Sequence, residues 1–172
     1  MSLIISGTGH RPNVLKGGYQ EYPKNLNPLL DIITKVISLY PVTEVQTGMA
    51  LGFDTALAIA AIKLGIKLSC QIPFPDFESR WNDLAKSHYY QILDKAYNVN
   101  YVSENKPKTK QEAVNMLMLR NKVLCDNADA LLSFWNGSNQ GGTYNAINYV
   151  QMVYPTKNIV NLYDLYQLKI KT

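Results

Sequence analysis

Three short glycine-containing segments carry the residue types with which a protein backbone holds an anion. They are Gly7-Thr8-Gly9-His10-Arg11-Pro12, Gly48-Met49-Ala50-Leu51-Gly52-Phe53-Asp54 and Gly137-Ser138-Asn139-Gln140-Gly141-Gly142-Thr143. Each follows a short apolar run, and the second and third open helical patterns. Glycine lets a backbone approach phosphate closely and accepts positive φ without steric cost. The free N–H groups of a helix start bind anions. Arg11 adds a planar fork for bidentate phosphate contact, or else holds its own loop through a salt bridge. His10 reaches phosphate or base, or caps the turn through a ring nitrogen. Asp54 either answers the positive helix end or accepts from a ribose hydroxyl. Thr143 brings a hydroxyl and an N–H to one helix start. Together these residues point to a nucleotide or a nucleotide-derived small molecule.

The elements that must position them alternate between strand and helix. Apolar runs of strand length fall at Leu3–Ser6, Glu44–Thr47, Lys67–Ile72, Tyr97–Val102, Ala130–Trp135 and Lys157–Leu162. Between them the period changes to that of a helix: Leu26, Leu29, Leu30, Ile33, Val36, Ile37 and Tyr40 recur at i, i+3, i+4, i+7 spacing until Pro41. Further helices are expected over Thr55–Leu64, Ser79–Ala96, Gln111–Cys125 and from the third glycine loop to Val153, with a short peripheral helix in the tail. This alternation is the pattern of a parallel sheet covered on both faces. The expected fold is therefore α/β, a single Rossmann-like three-layer domain over residues 1–172 with a mainly parallel sheet of about six strands. In such sheets ligands sit outside the carboxyl ends of the strands, where all three glycine segments fall.

Composition narrows the partners. The 172 residues are 47% hydrophobic and 17% charged, which suits a folded domain and not a disordered chain. A net charge of +4 with scattered basic residues attracts anions mildly and is not the footprint of nucleic-acid binding. Lys106, Lys108 and Lys110 read as a solvated loop around Pro107. Cys70 and Cys125 are too few for a disulfide framework and lack metal-ligand spacing, so both are expected as buried thiols. No metal, cofactor, signal peptide or membrane span is expected, and the cytoplasm is the expected location.

The glycine segments match neither the dinucleotide fingerprint G-x-G-x-x-G nor the P-loop with its lysine. Ser6-Gly7-Thr8-Gly9-His10-Arg11-Pro12, Gly48 to Asp54, Arg120-Asn121-Lys122 and Gly141-Gly142-Thr143 instead resemble, as a set, the YpsA-like branch of the SLOG superfamily. That superfamily groups DprA-like proteins with LOG phosphoribohydrolases, and the similarity runs from Ile4 to about Leu162. It implies a Rossmann-like fold binding nucleotides or nucleotide-derived ligands at the strand ends, in proteins that commonly dimerise. LOG enzymes cleave an N-glycosidic bond with an arginine and a glutamate three residues after the threonine of P-G-G-x-G-T-x-x-E. The resemblance gives the arginine a counterpart in Arg120, with Asn121 beside it, but Ala146 stands at the glutamate's place. Alanine can neither stabilise an oxocarbenium-like charge nor move a proton.

The leading expectation is therefore ligand binding, for sensing or sequestration, with Gly7, Thr8, Gly9, His10, Arg11, Gly48, Met49, Ala50, Gly52, Asp54, Asn121, Gly141, Gly142 and Thr143 as the ligand-binding set. An N-glycosidic hydrolase is the alternative, with Arg120 and Glu78 as its catalytic pair, or Asp54 in place of Glu78. Glu78, Arg80 and Trp81 follow Pro73-Phe74-Pro75 at another strand end, where Trp81 reads as core. Single-stranded nucleic-acid binding, by analogy with the DprA-like relatives, comes third, and a phage protein that captures a nucleotide signal fourth.

Overall fold

The computed structural model describes residues 1–172. Six strands form one parallel sheet: β1 (Leu3–Gly9), β2 (Val42–Thr47), β3 (Lys67–Ile72), β4 (Asn98–Tyr101), β5 (Ala130–Phe134) and β6 (Asn158–Asn161). Six helices connect and flank them: α1 (Asn27–Ser38), α2 (Phe53–Lys63), α3 (Asp83–Lys95), α4 (Lys110–Asp126), α5 (Gly142–Val153) and α6 (Tyr163–Lys171). The spatial order is β4-β3-β2-β1-β5-β6. From β1 the chain builds outward to β4 on one side, then crosses back through α4 to build β5 and β6 on the other. Right-handed crossovers put α1, α2 and α3 on one face and α4 and α5 on the other. Packing of α1 on α2, α2 on α3 and α4 on α5 follows that division, and α6 closes against α1. The order reverses between β1 and β5, so a crevice opens there at the strand ends.

The core explains several local choices. Helix α2 is dense in alanine because it is buried nearly all round, with Phe53, Ala56, Leu57, Ala58, Ala60 and Ala61 inaccessible. Its approach to the sheet requires small residues on β1. A Cβ at Gly7 would run into the Leu57 side chain and stand 2.9 Å from Phe53, and one at Gly9 would meet Phe53 Cβ at 2.5 Å. Phe53 in turn stacks on Phe134 of β5 at 6.2 Å between ring centroids.

Three features of these elements depart notably from the sequence expectation. Strand β1 continues through Gly9, so Gly7 and Gly9 belong to the strand and not to a loop. Helix α3 begins at Asp83 and not Ser79, because Asn82 caps it by accepting from the Ala85 N–H at 2.8 Å. The tail helix α6 is less peripheral than expected. Its Tyr166 is buried against Phe134, with 5.2 Å between centroids, and its hydroxyl accepts from the Lys16 N–H at 2.9 Å.

Candidate functional site

A polar cleft of about 290 Å³ lies at the carboxyl ends of β1 and β5. Its walls come from the β1 end (Gly7, Thr8, Gly9, His10, Arg11), from Ala50 and Asp54 before and within α2, from Arg120 and Asn121 of α4, and from Gly141, Gly142 and Thr143 at α5. Asn13, Leu117 and Gln140 complete it. Those last three lie outside the expected ligand-binding set, although Gln140 belongs to the third glycine segment and Leu117 lies one helical turn from Arg120. Helix α4 contributes a second guanidinium beside that of Arg11.

The start of α5 presents unsatisfied backbone donors. Gly141 precedes it at φ 95°, a conformation that favours glycine, and no side chain caps the helix. The first amide satisfied inside the helix is that of Asn145, which donates to the Gly141 carbonyl at 3.0 Å. The N–H groups of Gly142, Thr143 and Tyr144 therefore remain free at the positive end of the helix dipole. The Thr143 side chain is buried at the cleft edge and has no protein hydrogen bond. Arg11 is exposed and takes part in neither of the two salt bridges, Lys106–Asp76 and Lys169–Asp31, so its fork is free. The salt bridge expected as its alternative role is absent.

Arg120 is buried and serves the α2 loop from across the cleft. It donates through Nη1 to the Gly48 carbonyl and through Nε to Asn121 Oδ1 at 3.0 Å, and Asn121 Nδ2 donates to the Gly142 carbonyl at 3.4 Å. Its guanidinium occupies the space that a Cβ on residue 48 would need. Asp54 is also buried, and its Oδ2 accepts from the Ala50 N–H at 3.1 Å. Burial raises the Asp54 carboxyl above its ordinary range, and the positive charges of Arg120 and Arg11 oppose that rise. Burial likewise lowers Arg120, opposed by Asp54.

The remaining members of the expected set fall outside the cleft walls. Gly48 lies beneath Arg120. Met49 is buried at φ 59°, and Gly52 at φ 96° would bring a Cβ within 2.7 Å of the His10 carbonyl. That carbonyl also accepts the Phe53 N–H at 3.3 Å, so the first amide of α2 is already engaged within the protein. Glu78 is buried beside the cleft and not in it, where the Tyr90 hydroxyl donates to its carboxylate. Trp81 packs edge-on against Phe77 and Tyr89 at 5.3 Å each, as a core residue does.

His10 lies in the wall and is also tied to the turn after β5. Its Nε2 is 2.8 Å from Asn136 Oδ1 and 3.0 Å from the Asn136 N, so either tautomer anchors the ring. Burial lowers its pKa and the Asn136 contact partly offsets this, which favours a neutral imidazole. No group of three or more His, Cys, Asp or Glu side chains is placed to hold a metal ion, and no helix is long and apolar enough to cross a membrane.

A parallel sheet whose strand order reverses above a polar cleft lined by glycine, arginine and a free helix start defines a Rossmann-like domain. The chain belongs to the YspA SLOG family, whose model matches residues 8–171. No curated protein matches it. Among solved structures it is similar to DNA processing protein A (DprA) from Streptococcus pneumoniae, with 13% identity and a TM-score of 0.59 over 92% of this chain. The chain spans only 50% of that protein's length. It is also similar to DNA processing protein A from Helicobacter pylori, with 14% identity and a TM-score of 0.60, covering 98% of this chain and 80% of that one. That structure is described by its single-stranded DNA binding mode. At such identities the likeness is one of fold.

Proposed function

We propose that this protein binds a nucleotide or nucleotide-derived small molecule, anchored by phosphate in the cleft between β1 and β5. The observation that carries the reading is the uncapped start of α5, whose three free amides adjoin the unpaired Arg11 and the buried Arg120. A phosphate there would take N–H donors from Gly142 and Thr143, the Thr143 hydroxyl and the fork of Arg11. The cleft volume is near the lower end of the range for small-ligand sites, roughly 300 Å³ and upward. Native mass spectrometry of protein purified without added ligand, followed by calorimetric titration with nucleoside monophosphates and NAD, tests it. A retained or titrated phosphorylated ligand supports the reading, and a chain that binds none of them overturns it.

A second reading is N-glycosidic hydrolysis, and the position of Asp54 favours it. Asp54 is the only carboxylate in the cleft wall, and burial raises its pKa toward that of a group able to hold a proton. Glu78 is less suited, because it lies outside the wall and is engaged by Tyr90. Incubation with nucleoside monophosphates and NAD separates the readings: sustained release of free base that disappears in Arg120→Ala supports turnover. The described binding mode of the Helicobacter pylori protein brings single-stranded DNA in as a third ligand. Binding to an oligonucleotide that weakens steeply with salt would support it.

A further inference from the structure

A second concavity, about 300 Å³, runs along the α4–α5 seam on the far side of Asn121 from the anion cleft. Asn121 lines both, and no other residue does. The two sites lie along the same helix pair. Thr143 of the cleft and Ala146 of the seam are three residues apart, hence neighbours on one face of α5, about 4.5 Å apart along its axis. On α4, Leu117 faces the cleft and Met118 the seam. The two concavities thus adjoin at Asn121, whose side chain stands between them, and a ligand held by phosphate at the start of α5 would reach the seam by passing over it.

The chemistry of the seam differs from that of the cleft. Met118, Leu119, Ala146 and Tyr149 make much of its surface apolar, where the cleft is polar, and Lys122 stands at the Tyr149 ring with Nζ 5.5 Å from the centroid. Ala146 keeps it open, since its methyl is the smallest side chain that could stand between the helices. The Tyr149 ring is fixed in place because its hydroxyl donates to Asp126 Oδ1 at 2.7 Å, a carboxylate that also accepts from Tyr154 at 2.8 Å. Two amides stand at the rim. Asn115 Oδ1 accepts from Gln111 at 3.0 Å, which leaves its Nδ2 without a protein partner. Asn145 Nδ2 contacts only the Met118 sulfur at 3.6 Å, and its Oδ1 has no protein donor. An apolar slot with a fixed aromatic ring, a spare donor and a spare acceptor suits a flat heteroaromatic ring with hydrogen-bonding edges.

We propose that the α4–α5 seam is the nucleobase subsite for a ligand whose phosphate occupies the anion cleft. The inference rests on the phosphate reading and adds to it the position of the base and the residues that select it. Pre-fixing of Tyr149 by Asp126 reduces the ordering that binding would otherwise require.

The test compares ribose 5-phosphate with adenosine and uridine 5′-monophosphates by calorimetry, in the wild type and in Met118→Trp. Met118 is 40% exposed, so the larger ring fills the seam without entering the core. The wild type is expected to bind at least one monophosphate about tenfold or more tightly than ribose 5-phosphate, the equivalent of about 1.4 kcal/mol. In Met118→Trp that ratio falls toward one. Should Met118→Trp unfold, Asn145→Ala carries the same comparison, with a reduced and base-dependent ratio expected. A wild-type ratio of one, or a ratio untouched by substitution in a folded variant, overturns the base subsite while leaving phosphate anchoring intact. If neither ribose 5-phosphate nor any monophosphate binds, the phosphate reading itself fails and the subsite with it.

Discussion

The guanidinium of Arg120 covers the backbone of Gly48, donating to its carbonyl and filling the place of its missing side chain. One glycine of the α2 loop thus seats a cation of the cleft and does not itself line it. Gly48 does not have a positive φ, so the backbone would tolerate alanine and only the collision forbids it.

Gly48→Ala is therefore expected to destabilise the protein by about 1–3 kcal/mol through overpacking against Arg120. In an Arg120→Ala background the same substitution should cost within about 0.5 kcal/mol, because the colliding group is gone. A double-mutant cycle by urea denaturation measures the coupling. Equal costs in both backgrounds would show that the glycine serves some other need.

Asp54 should leave a signature in the pH dependence of stability. Its folded pKa is raised by burial, so the folded state holds the proton more tightly than the unfolded chain. Stability from this group is fully present below its unfolded value of 3.8 and is lost as pH rises through the raised folded pKa. Asp54→Asn removes that dependence. The stability of Asp54→Asn relative to wild type should accordingly climb between pH 4 and neutrality, as read by denaturation at several pH values. A flat difference across that range contradicts the assigned environment.

Both thiols should be inert while the chain is folded. Burial pushes Cys70 up to about 12 and Cys125 up to about 11, so neither forms appreciable thiolate at pH 8. Mass spectrometry after iodoacetamide treatment should show no label in buffer and two labels in urea. Labelling of Cys125 in buffer would show that the α4 end opens readily.

Arg11 is exposed and unpaired, so its loss should affect binding far more than folding. Arg11→Ala is expected to change stability by no more than about 0.5 kcal/mol. Its affinity for a phosphorylated ligand should fall about tenfold or more, since a hydrogen bond to a charged group is worth roughly 1.5–3 kcal/mol. Thermal melts and calorimetry on one preparation check both halves.

The alternation of apolar strands with helical periods was readable because each pattern is local. Five helices, the tail helix and all six strands follow from it, and the parallel sheet from their order. The roles of individual glycines were not readable in the same way. Gly7, Gly9, Gly48 and Gly52 look like a phosphate cradle in sequence, yet each makes room for a side chain or carbonyl that arrives from a distant segment. Gly141 does stand at an uncapped helix start, as its position suggested, because such a start is set by adjacent residues alone. Leu117 was invisible for the converse reason, since only the fold brings that face of α4 to the cleft.

The central claim is that phosphate anchors the ligand at the start of α5. Calorimetric titration of the wild type with a nucleoside 5′-monophosphate and with the same nucleoside lacking phosphate tests this most directly. The account predicts that, for at least one base, the monophosphate binds about tenfold or more tightly than the nucleoside. Equal affinity of each nucleoside and its monophosphate, or failure of every pair to bind, would contradict it.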